Sequence, residues 1–313
     1  MFRPEIKVLD CTLRDGGLIN DHCFDEGFVK AVFRATALAG IDYVELGYRA
    51  SKKSFSPDKY GECKFCDEDF VRKVTDGVDN KPKISVMVDI GRIDEAQIPD
   101  KKDSVVDLVR VACYIKDVDK AIKLVNFFHD KGYETTCNIM AISTALIPDV
   151  EEGLAQLAES PVGTVYVVDS YGSMFSEQIH FLTKLYGKYM WPKKKEVGMH
   201  AHNNQQLGFA NTIEAVRMGA NYLDSTIYGI GRGAGNCPTE LLLSFLKNPK
   251  FRLEPILEVI EKELVPLSKQ IEWGYIIPYM ITGILNQHPR AAIALRAGKD
   301  KDKFAQFYRD ILI

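Results

Sequence analysis

One pattern repeats along most of the chain: a short run of apolar and β-branched residues, a loop, and then an amphipathic segment. Eight such runs are strand candidates, at 6–11, 43–48, 84–90, 108–114, 135–142, 164–170, 196–202 and 222–229. Near-continuous apolar runs of this length suit parallel strands that are covered on both faces. Strand and helix patterns that alternate in this way predict an α/β protein with a parallel sheet.

Helix signals lie between these runs. The segment 25–40 begins with Asp25 as a predicted N-cap and ends at Gly40. A second segment begins near Asp117 and ends at Gly132, and a third ends at Gly219. Polar N-caps and C-terminal glycines are the ordinary boundaries of helices, so each segment is predicted as a crossover between two strands.

Two α/β layouts compete for this pattern. A doubly wound sheet would favour a dinucleotide site with GxGxxG directly after the first strand. The first strand is instead followed by "RDGG" (14–17), and "GIGRGAGN" (229–236) follows the last strand without that spacing. Eight strand–helix units fit a (β/α)8 TIM barrel. Helical patterns alone follow residue 250, so we predict a barrel domain over 1–250 and a C-terminal helical extension over 251–313.

Composition excludes several functional classes. The formal net charge of −3 provides no basic surface for nucleic acid or for an acidic membrane. The sequence has neither a signal peptide at its first residues nor an apolar run long enough to span a membrane. Seven cysteines, an odd number, indicate reduced thiols, and Cys63 and Cys66 form a CxxC with no second pair to complete a zinc site. We expect a cytoplasmic protein.

Polar residues collect where the predicted strands end. In a TIM barrel the active site lies at the carboxyl ends of the strands. The residues at these positions are Arg14, Asp15, Glu45, Arg110, Asn138, Asp169, Ser170, His200, His202 and Asn236. A core without chemistry would not need them, so the sequence predicts a polar active site at this end of the barrel.

"MHAH" (199–202) is the sharpest local signal within that set. Alternate residues of a strand point to the same side, so His200 and His202 present their imidazoles together. Strand one closes the barrel against strand eight, which brings Asp15 within reach of the same ion. Two imidazoles and one carboxylate leave open coordination positions and suit Mn²⁺ or Mg²⁺, with Zn²⁺ and Co²⁺ as alternatives. The competing interpretation is two histidines that line the barrel and are satisfied by hydrogen bonds.

A metal ion there would chelate the carboxylate and keto oxygens of a 2-oxo acid and stabilise an enolate. Arg14, next to Asp15, would face the developing oxyanion. Its other interpretation is a buried ion pair with Glu45 that holds the mouth of the barrel, and both interpretations can be true together.

Five motifs, in this order, carry a family resemblance: "LDCTLRDGG", "VELGY", "VVDSYGSM", "GMHAHNNQQLGFANT" and "DSTIYGIGRGAGNCPTE", over residues 8–240. They resemble the DRE-TIM metallolyase (HMGL-like) superfamily, whose members make or break carbon–carbon bonds next to a metal-bound enolate. Within it the chain is most similar to 4-hydroxy-2-oxovalerate aldolases. The resemblance implies Asp15, His200 and His202 as metal ligands. Asn236 matches a ligand position of the lyase branch.

The resemblance also implies roles in catalysis and substrate binding. Arg14 matches the enolate-stabilising arginine and Glu45 the glutamate that supports it. Ser170 corresponds to a residue near the substrate carboxylate, and we expect Asn138 to bind substrate beside it. The segment 274–289 resembles one that lends a tyrosine to the active site, with Tyr279 as the first match and Tyr275 as the second.

One position departs from the family. The aldolases carry an acid/base histidine three residues after the motif aspartate, and here that position is Leu18, which cannot transfer a proton. We consider His22, Asp21 and Tyr171 as replacements, and take His22 as the first candidate if the loop after strand one folds back. A general base is typically worth about 10²–10⁴-fold in rate, so the substitution bears on substrate and mechanism.

The sequence and its resemblance lead to three alternative functions. The first is a divalent-metal aldolase or lyase that cleaves a 4-hydroxy-2-oxo acid, such as 4-hydroxy-2-oxovalerate, through a metal-bound pyruvate enolate, or runs the reverse condensation. The alternatives are an acyl-CoA-dependent Claisen synthase of the isopropylmalate or homocitrate type and a catalytically altered metal-binding barrel. The resemblance is compatible with a homodimer and with docking of an aldehyde dehydrogenase partner at the C-terminal helices.

Overall fold

A computed structural model describes residues 3–312, and its centre is a closed barrel of eight parallel strands in sequential order. The strands are β1 (Lys7–Asp10), β2 (Tyr43–Tyr48), β3 (Lys83–Asp89), β4 (Leu108–Cys113), β5 (Glu134–Ile139), β6 (Thr164–Asp169), β7 (Glu196–Ala201) and β8 (Tyr222–Ser225). Because every pairing is parallel, the carboxyl ends of all eight strands lie at one rim. The predicted TIM barrel is confirmed.

Helices follow the strands, and the first of these helices lies at the carboxyl-end rim. They are α1 (Thr12–Gly16), α2 (Glu26–Leu38), α3 (Glu68–Thr75), α4 (Val118–Asp130), α5 (Ile147–Glu159), α6 (Ser176–Met190), α7 (Gly208–Met218) and α8 (Thr239–Leu246). The Asp25 side chain caps α2 by accepting the Gly27 N–H at 2.8 Å, and Gly219 ends α7 with a φ of +114°. These sequence signals therefore mark helix boundaries, as predicted.

The first strand is shorter than predicted, and this changes the placement of Arg14 and Asp15. β1 ends at Asp10, whose Oδ1 accepts the Thr12 N–H at 3.0 Å and starts the short helix α1. Arg14 and Asp15 therefore lie on α1 and not on the end of a strand. Gly17, just beyond α1, has a helical φ of −62°, so its backbone does not require glycine. The lack of space requires glycine instead, since a Cβ added at Gly17 would lie 2.0 Å from Nδ1 of His22.

The chain beyond the barrel is helical, as predicted, and packs in two parts. It contains α9 (Glu254–Val259), a π-helical turn (Ile260–Leu264), α10 (Val265–Ser268), α11 (Ile277–Ile284), α12 (Arg290–Ala297) and α13 (Phe304–Ile311). Apolar side chains from Ile256 to Leu264 belong to the barrel core. The last three helices form a separate cluster that includes Tyr279, Ala292, Phe307 and, from the loop after β8, Ala234. The division at residue 250 stays a prediction.

Across residues 3–312, none of the helices combines the length and the apolar character that crossing a membrane requires.

Candidate active site

Three side chains predicted to bind metal converge at the carboxyl-end rim. Nε2 of His200 lies 3.6 Å from Oδ2 of Asp15, and Nε2 of His202 lies 3.9 Å from the same oxygen. All three residues are buried, and the two imidazole rings are nearly perpendicular, at 82°. One carboxylate oxygen and two imidazole nitrogens therefore surround a common point, as a tripodal metal site requires.

The second nitrogen of each histidine is already occupied. Nδ1 of His200 donates to Oδ2 of Asp224 at 2.9 Å, and Nδ1 of His202 donates to the carbonyl oxygen of Gly235 at 3.3 Å. An acceptor at Nδ1 places the proton there and leaves the Nε2 lone pair free, which is how metal-binding histidines are generally oriented. Both free lone pairs belong to the nitrogens that face Asp15.

Asn236 supplies a possible fourth ligand from the loop after β8. Its Nδ2 donates to the carbonyl oxygen of Ile230 at 3.1 Å, whereas its buried Oδ1 has no hydrogen-bond partner among residues 3–312. A Cβ added at Gly231 would lie 2.1 Å from Nδ2 of Asn236 and 2.7 Å from Oδ1 of Asp15, so both side chains flank this glycine. A buried amide oxygen without a donor is costly unless an ion or water satisfies it. The donor set therefore fits a divalent cation.

We expect Asn236→Ala to weaken Mn²⁺ binding by on the order of 10-fold, because it removes the unpartnered oxygen while leaving the other three ligands in place. Isothermal titration calorimetry with Mn²⁺ measures the change. Asn211→Ala is the matched control, since Asn211 is also a buried asparagine with an unpartnered Oδ1 but lies on α7. Equal affinities for both variants and the wild type would remove Asn236 from the ligand set.

The loop that carries Asn236 depends on glycine at one position. Gly235 has a φ of +78°, and a Cβ there would lie 1.9 Å from the carbonyl oxygen of Gly229. The Asn236 N–H donates to that same Gly229 oxygen at 3.1 Å. A residue with a Cβ would push these segments apart, so the glycine-rich sequence serves the tight loop that presents Asn236 and the Gly235 carbonyl.

A closed ring of alternating charges supports the metal ligands from below. Arg14 contacts Asp15 and donates from Nε to Glu45 at 2.7 Å. Arg110 donates to Glu45 at 3.0 Å and to Asp224, which holds His200. The ring members are Asp15, Arg14, Glu45, Arg110, Asp224 and His200. Burial alone would lower the pKa of His200, but its contacts with Asp15 and Asp224 outweigh burial and raise it. When His200 is neutral, as metal binding requires, the three carboxylates and two guanidinium groups leave one excess negative charge, which favours a bound cation.

These contacts set the protonation of the ring. Burial alone would raise the pKa of Asp15, but the charge of Arg14 and the neighbouring histidines hold it well below its usual range. At Asp224, too, burial alone would raise the pKa, but Arg110 and His200 outweigh burial and lower it. Both carboxylates are therefore ionised at neutral pH, the form in which Asp15 binds a metal ion.

A second group, Cys11, His200 and Asp224, also brings candidate ligands together. Here Nδ1 of His200 and Asp224 are already hydrogen-bonded to each other, and burial holds the pKa of the Cys11 thiol well above its usual range. A protonated thiol is a poor ligand, so the Asp15 group is the stronger metal site. Cys63 and Cys66 are also buried free thiols.

A cavity of about 580 Å³, part of it open to solvent, lies above the cluster. It brings together six residues that the sequence placed in the site: Arg14, Asp15, Asn138, Ser170, His200 and His202. Glu45 is fully buried beneath Arg14 and acts through it. Ser170 accepts the Ala141 N–H at 2.8 Å, and Asn138 accepts from Thr136 at 3.1 Å, so both side chains are fixed at the wall.

The structure does not bring every predicted residue to this cavity. His22 is buried and packs edge-on against the Tyr48 ring at 5.4 Å, and its two ring nitrogens have no hydrogen-bond partner in the described part of the chain. Burial, together with Lys64 and Arg14, lowers its pKa to about 3. Tyr279 packs within the C-terminal cluster, and Tyr275 is 59% exposed. Among the candidates to replace the histidine missing at Leu18, Tyr171 lines the cavity, as Leu18 itself does.

Three functional positions escaped the sequence analysis. Asp224 orients His200, and Arg232 and His288 line the cavity from the loop after β8 and from the C-terminal segment. Asp224 carried a detectable signal, because it is an acidic residue inside an apolar strand. His288 lies in the segment where a tyrosine was expected, and nothing local in the sequence shows that it reaches the barrel mouth.

The sequence model of one protein family, described as HMGL-like, matches residues 5–261. A curated 4-hydroxy-2-oxovalerate aldolase from Bacillus thuringiensis (strain Al Hakam) is 26% identical over 320 residues, covering 99% of this chain and 90% of that protein.

Two solved structures resemble this barrel. The N-terminal domain of a proposed aldolase from Bacteroides vulgatus superposes with a TM-score of 0.78 at 27% identity, covering 96% of this chain and all of that one. The HMG-CoA lyase from Brucella melitensis gives a TM-score of 0.66 at 14% identity, covering 83% and 98%, which shows a shared fold.

Proposed function

Because the chain belongs to the HMGL-like family, a family of enzymes, we propose that this metal-dependent lyase breaks the C3–C4 bond of a 4-hydroxy-2-oxo acid. The products are pyruvate and an aldehyde, and the reverse reaction is the aldol condensation. The substrate class is supported by the similarity to relatives named 4-hydroxy-2-oxovalerate aldolase. The identity of the aldehyde depends on the rest of the cavity.

One observation carries the proposal: the free Nε2 atoms of His200 and His202 face Asp15, while Arg14 contacts Asp15 from beside it. A lyase of this kind needs a cation to hold a 2-oxo acid and a fixed positive charge for the oxygen that becomes negative as the bond breaks. A purely structural barrel mouth would not need a free lone pair on each histidine.

Each residue of the site has a distinct role in the proposed reaction. A divalent ion held by Asp15, His200 and His202, with Asn236, would supply Lewis acidity toward the oxo acid. Arg14 faces the same space and stabilises negative charge on the keto oxygen. Glu45 fixes the Arg14 guanidinium through its Nε contact, which limits the reorganisation needed during the reaction. Ser170 and Asn138 line the substrate side of the cavity.

Proton transfer at the C4 hydroxyl is assigned to Tyr171. It lines the cavity, and burial raises its pKa, so the phenol is protonated at neutral pH and can act only as a relay: it accepts the C4 hydroxyl proton as it gives its own proton to water at the open side of the cavity. His22 and Asp21 lie outside the cavity lining. Leu18 places an apolar side chain where the aldolases have a histidine. The group that transfers the C4 hydroxyl proton therefore differs from theirs.

Pyruvate release tests the proposal directly. The protein with Mn²⁺ is incubated with a panel of 4-hydroxy-2-oxo acids, and pyruvate is coupled to lactate dehydrogenase. We expect metal-dependent pyruvate release, lost on chelation and restored by Mn²⁺ or Mg²⁺. Acetyl-CoA-dependent thiol release would favour the Claisen synthase instead. Metal binding without turnover of any substrate would favour the catalytically altered barrel.

Other sequence-based expectations stay predictions. They are the preference for Mn²⁺ or Mg²⁺ over Zn²⁺ and Co²⁺, a cytoplasmic location, a homodimer, and an aldehyde dehydrogenase partner at the C-terminal helices. The helices α11–α13 are the place to test a partner, since they form their own cluster at the edge of the barrel.

A further inference from the structure

Arg232 places a positive charge in the cavity that no carboxylate balances within residues 3–312. Arg14 and Arg110 are both paired with carboxylates, whereas no ion pair forms at the Arg232 guanidinium. Its Nη2 donates to the backbone oxygen of Ser170 at 3.0 Å, and its Nε is buried without a partner. A half-buried, uncompensated guanidinium favours an anionic ligand.

His288 adds a second donor beside this guanidinium. The Arg290 N–H donates to Nδ1 of His288 at 3.2 Å, so the proton of a neutral ring lies on Nε2. That ring is neutral at pH 7, because burial and the charge of Arg232 lower the pKa of His288 to about 4. Nε2 of His288 and Nη1 of Arg232 are 3.5 Å apart. Two N–H donors cannot satisfy each other, but one oxygen of an anion can accept from both.

The side chains of Arg232 and His288 lie apart from the proposed metal ligands. The Arg232 backbone N–H donates to Oδ1 of Asp15 at 3.2 Å, while its side chain reaches away to Ser170 and His288. The carboxylate of the 2-oxo acid has the cation as its counter-charge under the proposed function. The guanidinium of Arg232 is thus available for a second negative group on the same substrate.

We propose that Arg232 and His288 form a carboxylate site, and that the substrate is a 4-hydroxy-2-oxo dicarboxylic acid whose second carboxylate binds there. This inference rests on the proposed function for the bond that breaks. Cleavage breaks C3–C4, the C4 hydroxyl proton passes through Tyr171 to water, and C3 of the pyruvate enolate takes up a proton from water. The products are pyruvate and an aldehyde that carries a carboxylate.

A matched substrate pair tests the site by turnover. 4-Hydroxy-2-oxoglutarate and 4-hydroxy-2-oxovalerate both have five carbons and differ by a carboxylate in place of a methyl group. We expect kcat/KM of the Mn²⁺-loaded wild type to favour the dicarboxylate by about 10–100-fold, the usual value of charge-assisted hydrogen bonds to a carboxylate. Arg232→Gln removes this preference and Arg232→Lys restores part of it. Arg290→Gln, an exposed neighbouring arginine, keeps it.

A binding pair makes the site testable without turnover. 2-Oxoglutarate and 2-oxovalerate lack the 4-hydroxyl group and cannot be cleaved, so calorimetry reports affinity alone. Preferential binding of 2-oxoglutarate by the wild type, lost in Arg232→Gln, supports the carboxylate site even if no 4-hydroxy-2-oxo acid is cleaved. Equal weakening of both ligands by Arg232→Gln would assign Arg232 to the oxo-acid carboxylate and overturn the proposal. No preference in the wild type would also overturn it.

Discussion

Asp15→Asn is expected to abolish metal-dependent pyruvate release, with kcat/KM reduced by at least about 10³-fold. Asp15 supplies the only carboxylate among the three ligands whose atoms converge, and the substitution removes its charge while keeping its shape. Two neutral imidazoles and an amide would bind Mn²⁺ far more weakly. The reaction would lose the cation and the ordered contact with Arg14 together.

For Asp15→Asn, Mn²⁺ affinity and the activity at high Mn²⁺ concentration distinguish a loss of metal binding from a loss of the folded structure. Mn²⁺ affinity by calorimetry should fall by at least about 100-fold, and high Mn²⁺ concentrations should recover only part of the activity. Asp89→Asn is a matched control, because Asp89 ends β3 near the same rim and is not among the converging ligands. Normal activity of Asp15→Asn at low Mn²⁺ would contradict the proposed metal site.

Arg110→Met is expected to destabilise the fold by about 3–5 kcal/mol, the usual consequence of breaking a buried ion pair from one side. Arg110 is fully buried, joins Glu45 to Asp224, and lies over the Tyr166 ring at 4.5 Å. Methionine fills much of the volume but leaves Glu45 paired with Arg14 alone and Asp224 in contact with His200 alone. Urea unfolding followed by circular dichroism measures the change.

The control is Arg217→Met. Arg217 pairs with Glu214 at 2.9 Å on the surface, where 59% of its side chain is exposed, so its loss should change stability by no more than about 1 kcal/mol. Equal effects of the two variants would contradict the stabilising role assigned to Arg110 in the buried ring.

The pH dependence should follow from the same ring. Arg110 lowers the pKa of Asp224 against the opposing effect of burial, so in the wild type this carboxylate stabilises the fold above its unfolded pKa. In Arg110→Met, His200 alone opposes burial, so the pKa of Asp224 rises, and the destabilisation is relieved when the carboxylate takes up a proton. The difference in the free energy of unfolding between the wild type and Arg110→Met should therefore become smaller as pH falls.

The parts of the site that follow from strand order could be predicted from the sequence. His200 and His202 alternate on one strand, and β1 pairs with β8, so their approach to Asp15 follows from barrel topology. β2 was predicted at its observed bounds, whereas β8 was predicted to continue to residue 229 and ends at Ser225. Parallel pairing puts strand ends at one rim whatever the intervening loops do, which makes such predictions robust.

The residues that depend on loops could not be predicted in this way. Arg14 and Asp15 lie on α1 because Asp10 binds the Thr12 backbone, a local contact that periodicity does not show. His22 was the first candidate for the acid/base group on the condition that its loop folds back, and the loop instead buries it against Tyr48. His288 reaches the cavity from the C-terminal segment through packing between distant parts of the chain. Long-range packing of this kind has no signature in one sequence.

The ring of charges has a consequence for how the protein assembles. Its members come from the beginning, middle and end of the barrel: Arg14 and Asp15 after β1, Arg110 on β4, and Asp224 on β8. A nascent chain that has not yet produced β8 lacks Asp224, and its other charged groups stay hydrated. The charges can leave water only as the last strand docks against the first. The full arrangement of buried charges around Asp15 and His200 therefore exists only once the barrel is closed.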